Sequence, residues 1–323
     1  MTSPLWRQIQ RQNFRDWRKL FEFLKIDEEL ELKLLKEPRF TLNLPQRLAL
    51  KIKKNTLDDP LFRQFVALKD ETITNPAFKD DPVDDKLFKR KGRLLHKYQG
   101  RALLVTSGAC AMHCRYCFRQ NFDYGGDVYS FDEELEIIKN DNSLTEIILS
   151  GGDPLSLSNE SLKKLIDEIE SIKHVKRIRF HTRFPIGIPE RIDEGFLDII
   201  AKTSLQVWFV IHCNHPNELD EDIFLFLKKL QKLGVPILNQ SVLLKGVNDD
   251  FKTQKTLLEM LVNQGILPYY LHQLDLVQGA SHFEADQEEC KKMIESLRSA
   301  LPGFAVPKYV KEIAFAANKT LIN

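Results

Sequence analysis

The chain has 323 residues, enough for one large α/β domain with a helical addition, or for two domains. Hydrophobic residues make up 43% and charged residues 29%, the balance of a soluble globular enzyme and not of a disordered or fibrous chain. With 47 basic against 46 acidic residues the net charge is +1, which suggests neither a nucleic-acid surface nor an anionic-membrane surface.

Residues 1 to about 95 are expected to be mainly helical, because Leu5, Ile9, Phe14, Trp17, Leu20, Phe21 and Leu24 recur at near-helical spacing. Asp59-Pro60 and Asp81-Pro82 mark turns, and residues 80–85 read as a solvated acidic stretch. The N-terminus is polar, without an apolar stretch of signal-peptide type, and runs such as 205–211 are too short to cross a bilayer. A cytoplasmic location is therefore expected.

From Arg101 short apolar runs alternate with amphipathic segments. Strands are expected at 102–106, 146–149, 177–181, 206–211, 236–243 and 267–272. Helices are expected near 131–140, 158–170, 190–202, 217–233, 251–264 and 284–299. Continuous apolar runs are the mark of parallel strands buried on both faces. Six strand-then-helix units imply right-handed crossovers and an α/β fold, a partial (β/α)6 barrel of TIM type. The expected organisation is an N-terminal helical region (1–95), the barrel (96–300) and a short C-terminal segment (301–323).

Polar and glycine residues collect where these strands end, as they do in α/β enzymes. A cysteine loop follows the first strand, Ser150, Gly151, Gly152 and Asp153 the second, and His181, Thr182 and Arg183 the third. Residues 212–216 follow the fourth strand, Asn239 and Gln240 lie within the fifth, and 272–275 close the sixth. Two buried amides need hydrogen-bond partners, and a bound cofactor is the expected source.

Cys110, Cys114 and Cys117 form a C-x3-C-x2-C run. Three thiolates on one loop can each take one iron of a [4Fe–4S] cubane and leave the fourth iron to an external ligand. The alternative is zinc with His113 as fourth ligand, although zinc motifs usually spread their ligands over two separated pairs. Five cysteines, an odd number, argue against a disulfide framework, and Cys213 and Cys290 read as ordinary buried thiols.

With these residues assembled, the chain resembles the lysine 2,3-aminomutases, a family of radical S-adenosylmethionine enzymes. The resemblance runs from about His96 to Lys319 and rests on CAMHCRYCFRQNF, LSGGDPL, IHCNHPNE, LNQSVLLKGVND, PYYLHQLDLVQGASHF and VPKYVKEI. It implies a radical SAM core, a [4Fe–4S] cluster, S-adenosylmethionine and pyridoxal 5′-phosphate. Lys319 matches the lysine that carries pyridoxal phosphate, and Lys97 and Arg101 match basic positions near its phosphate. Tyr116, the Ser150 to Asp153 turn, His212 and Gln240 match positions at the S-adenosylmethionine site. Arg119 matches the arginine that fixes the substrate carboxylate, and Asp275 and Glu312 match the acids that grip the far ammonium of lysine.

Two departures stand out. Residues 314–318 (AFAAN) stand where the family's long enzymes carry a glycine run, and the second acid is Glu312 where Asp is usual. The short tail after Lys319 favours the branch that makes β-lysine for elongation factor P. Expected partners are lysine, an electron donor such as flavodoxin or ferredoxin, and a functional link to the elongation factor P lysyl ligase. The alternatives are a glutamate 2,3-aminomutase, which Asp275 and Glu312 disfavour, and a non-catalytic iron–sulfur or zinc protein.

Overall fold

The computed structural model describes residues 3–125 and 130–323. Its strands are β1 (Leu94–Tyr98), β2 (Arg101–Ser107), β3 (Glu146–Gly151), β4 (Arg177–Thr182), β5 (Gln206–His212), β6 (Ile237–Val242), β7 (Leu267–His272), β8 (Lys308–Lys311) and β9 (Thr320–Leu321). They form one sheet in chain order. β2 to β8 run parallel, and β1 and β9 pair antiparallel at the two edges. The expected α/β partial barrel is therefore present, with the six expected strands as β2 to β7. The C-terminal segment adds a seventh parallel strand, β8, which its four residues do not announce in the sequence.

Helices Asp132–Asn140, Asn159–Glu170, Glu194–Lys202, Glu221–Lys232, Phe251–Asn263 and Gln287–Ala300 make the crossovers. Three of them begin three or four residues later than periodicity suggests. Asp193, Asp220 and Asp286 are N-caps whose carboxylates accept the N–H groups of Phe196, Ile223 and Glu289, and this fixes where the helix can start.

Alternation along the strands decides what the barrel encloses. Leu104, Ile147, Leu149, Ile178, Phe180, Phe209 and Ile211 are fully buried on the helix side. Their neighbours Arg101, Ser150, Arg179, His181, His212 and Gln240 line an internal cavity.

The N-terminal region has short helices, among them Leu5–Gln10, Trp17–Leu24, Gln46–Lys51 and Pro60–Phe65. The near-helical spacing over 5–24 resolves into two helices, because Phe14 leaves the helix to bridge Leu44. Trp6, Leu20, Leu44, Phe62 and Phe65 share one core with the barrel residues Ile147, Phe180 and Phe209. Among the described residues no helix is long and apolar enough to cross a membrane.

Candidate active site

The cavity is lined by every residue that the family resemblance assigns to the site. Toward the strand C-termini lie Cys110, Cys114, Cys117 and Tyr116, the turn from Ser150 to Asp153, His212 and Gln240. Lys97 and Arg101 line it from the β1–β2 hairpin, at the opposite end of β2. Arg119, Asp275, Glu312 and Lys319 complete the lining.

The Gly151-Gly152 turn approaches the cysteine loop itself. Gly152 N donates to Ser107 O at 2.7 Å and Asp153 N to Ala109 O at 2.8 Å. A Cβ on Gly152 would lie 2.5 Å from Ala109 O, so the turn must be bare for the two backbones to meet. Gly151 also has φ +114°, open only to glycine. Burial pushes the thiols of Cys110 and Cys117 up, Cys117 to about 12, and neighbouring cysteines add to it. Iron must displace those protons on binding. His113 gives Nδ1 to the carbonyl of Thr41 (2.8 Å) and stacks on Phe40. Among the described residues no three His, Cys, Asp or Glu side chains close on a single-ion site.

Asn239 corrects an expectation. Its side chain accepts from Cys213 N (2.9 Å) and donates to Cys213 O (3.1 Å), so backbone satisfies it and no cofactor is needed. It faces away from the cavity that Gln240 lines, as the two-residue period of a strand requires.

Glu312 is held by three donors: Lys319 Nζ at 2.8 Å, Lys97 Nζ at 2.5 Å and the Tyr98 hydroxyl at 2.5 Å. The hairpin register explains the first. Val310 pairs with Leu321 and Lys311 with Thr320, so the next step sets Glu312 across from Lys319. Burial would raise the Glu312 carboxyl, but the Lys319 ammonium and the three donors overcome it and bring the pKa down to about 2.

Arg119 is buried and donates through Nε to Asp85 Oδ2 at 2.8 Å. Asp85 is itself buried, which corrects the reading of residues 80–85 as wholly solvated. The sequence gives no signal for this pair, since a carboxylate in an acidic run looks like surface. Arg119 is thus gripped from its Nε side, and among the described residues no acceptor holds its two Nη groups. Asp275 has the complementary vacancy: among the described residues no cation pairs with it. Burial, with Glu312 and Asp85 nearby, pushes its carboxyl up to about 6 against the pull of Lys319 and Lys97.

The cavity also holds unmet hydrogen-bonding capacity. His181 Nε2, His212 Nε2, His272 Nε2 and Gln240 Oε1 are buried without partners. Burial lowers all three histidines, His212 to about 3, so their rings are neutral at neutral pH. Orphaned polar atoms around three cysteines and a glycine turn are what a site for a polar ligand beside a cluster requires.

This combination defines a radical S-adenosylmethionine protein, and residues 104–253 match the model of the Radical SAM superfamily. The chain is 41% identical to the L-lysine 2,3-aminomutase of Haemophilus influenzae, over 98% of this chain and 95% of that protein. It is 40% identical to that of Escherichia coli K12 (93% and 89%) and 38% identical to that of Buchnera aphidicola (88% and 84%). The chain belongs to the lysine 2,3-aminomutase family.

Two outcomes follow from the geometry. Gly152→Ala drives a Cβ into backbone that cannot swing aside, so the turn and the cysteine loop must part. Iron bound after anaerobic reconstitution should fall well below wild type while the far-ultraviolet circular dichroism is retained; full iron would contradict the packing. For Glu312, the folded pKa lies below the usual 4.5, so its contribution is complete above about pH 4.5 and lost as pH falls toward 2. In urea unfolding of the cofactor-free protein, the stability gap between wild type and Glu312→Gln should therefore narrow from pH 5 to pH 3.

Proposed function

We propose that this chain is an L-lysine 2,3-aminomutase that moves the α-amino group of L-lysine to the β-carbon. The observation that carries this reading is the pair of opposite vacancies in one cavity. Among the described residues no acceptor holds the two Nη groups of Arg119, and no cation pairs with the half-buried Asp275. An amino acid with a carboxylate at one end and an ammonium at the other answers both. Glutamate would instead bring a second carboxylate toward an acid that its surroundings already disfavour. The family membership supports the same substrate.

Cys110, Cys114 and Cys117 would hold the cluster, and the turn from Ser150 to Asp153, with His212 and Gln240, would hold S-adenosylmethionine. Tyr116 lines the same end, its hydroxyl already taken by Arg183 and Asn214. Lys319 would carry pyridoxal phosphate, with Lys97 and Arg101 serving the phosphate. When bound, these groups supply a carbon radical that abstracts hydrogen and a π-system that steadies the resulting spin. The chain's own part is placement. Arg119 and Asp275 fix the two ends of the substrate, so that its β-carbon is held still between them. Neutral histidines line the wall without offering a proton, and the apolar rings of Phe88 and Phe118 limit water. The reductant is a low-potential carrier of the flavodoxin or ferredoxin kind. The product serves the elongation factor P lysyl ligase, and the enzyme works in the cytoplasm, where three free thiols stay reduced.

Anaerobic incubation of the reconstituted protein with L-lysine, S-adenosylmethionine and a reductant should give β-lysine, with glutamate unchanged in a parallel reaction. Lys319→Ala should lose both the visible absorbance of bound pyridoxal phosphate and the product. A fully loaded cluster with no β-lysine would refute the reading. Asp85→Asn should raise KM for lysine about tenfold with a smaller change in kcat, since a charge-assisted hydrogen bond is worth about 1.5–3 kcal/mol. Asp85→Glu should recover most of it.

A further inference from the structure

The end of β4 places a guanidinium against one of the three cysteines. Arg183 Nη1 donates to Cys114 Sγ at 2.8 Å and to the Tyr116 hydroxyl. Its Nη2 donates to Gln64 Oε1 at 2.8 Å and to Glu218 Oε2 at 2.7 Å. The Arg183 side chain is 8% exposed and that of Glu218 is 0% exposed. Each neighbour is fixed in turn. Asn214 Nδ2 donates to Gln64 Oε1 and to the Tyr116 hydroxyl, at 3.0 and 2.6 Å. Glu218 Oε1 accepts from Asn214 N, His215 N and Gln64 Nε2. The main chain of Arg183 is anchored as well, its N–H donating to Asp153 Oδ2 at 2.8 Å.

A buried ion pair costs desolvation that apolar packing would avoid, so a fold that only had to pack Cys114 gains nothing from this one. What the arrangement does provide is a fixed positive charge and an N–H donor on a sulfur that the cluster must use. We propose that Arg183 sets the reduction potential of the cluster, acting through its hydrogen bond to the Cys114 sulfur. One electron enters from a low-potential one-electron donor; no bond forms or breaks, and no proton moves. The cluster with its three thiolates becomes more negative by one charge. A cation and a donor at a ligand sulfur stabilise that reduced state over the oxidised one, the more so away from water. Arg183 therefore raises the potential, and Glu218 holds the guanidinium in place while tempering its charge.

The inference rests on the cluster assignment and not on lysine as substrate, and its test leaves the substrate out. The reconstituted protein is titrated electrochemically without S-adenosylmethionine or lysine, reading the reduced cluster by electron paramagnetic resonance. Glu218→Gln keeps the arginine and removes the opposing charge, so its midpoint should move to more positive potential. The double variant Arg183→Gln with Glu218→Gln removes the cation without stranding a carboxylate, so its midpoint should move to more negative potential. At a fixed potential the reduced-to-oxidised ratio should change at least tenfold, about 59 mV for one electron. Opposite signs with wild-type iron content support the proposal. Unchanged midpoints, or shifts in the same direction, overturn it. If the double variant fails to take up iron, Glu218→Gln decides alone: a positive shift supports the proposal, and no shift or a negative one overturns it.

Discussion

The carboxylate of Asp153 joins the parts of the site that lie far apart in the chain. It accepts from the Thr182 hydroxyl at 2.7 Å and from the N–H groups of Leu155, Arg183 and Phe184 at 2.8–3.1 Å. Its own N–H binds Ala109 O beside Cys110. One buried acid thus ties the cysteine loop after β2, the glycine turn after β3 and the arginine after β4 into one piece. That piece meets the cysteine loop at two points, the bare backbone of Gly152 against Gly108 and Ala109 beside Cys110, and Arg183 against the sulfur of Cys114. Removing any of these contacts would loosen the loop without touching a cysteine.

The wall of the cavity obeys a second constraint. A parallel strand buried on both faces must point every other residue inward, and here those residues are Arg, His, Gln and Ser where Leu, Ile and Phe face the helices. Such an interior cannot be satisfied by its own side chains, and the orphaned nitrogens of His181, His212 and His272 show the deficit. The chain neutralises part of it alone, with Glu312 between Lys97 and Lys319 and with Asp85 on Arg119. What is left over among the described residues is the Nη fork of Arg119 and the unpaired carboxylate of Asp275, the two groups that the proposed substrate would answer.

Much of this was legible in the sequence. The six long strands showed as continuous apolar runs, and the cysteine spacing and the glycine turn carried their chemistry in their order. Other features depend on contacts that no local pattern encodes. Asp85 sits in an acidic stretch and is buried only because Arg119 folds back to it. Gln64 lies in the helix Pro60–Phe65 and meets Asn214 and Glu218, which share the segment after β5, only once the chain has folded. Asn239 and Gln240 look alike in sequence, yet strand alternation sends one to backbone and the other to the cavity. The β8–β9 hairpin leaves no local pattern, because strands of four and two residues are too short to show a period.

That hairpin also accounts for the missing glycine run before Lys319. Phe315 occupies the left-handed region at φ +62°, a conformation a glycine would adopt without strain and a phenylalanine adopts at about 1–2 kcal/mol. Its ring packs on Phe88 at 5.2 Å, and the Lys97 ammonium lies 5.0 Å from the centre of the same Phe88 ring. Phe315 is 74% exposed, so this contact offsets only part of that cost. The position of Lys319 does not depend on the loop composition in any case. It follows from the pairing of Val310 with Leu321 and of Lys311 with Thr320, which leaves Glu312 and Lys319 facing one another at the open end of the ladder. A slip of one residue would turn the lysine to the other face, whereas a change of residues within 313–318 leaves it in place. The loop can therefore do without glycines while the strands keep the lysine in the cavity.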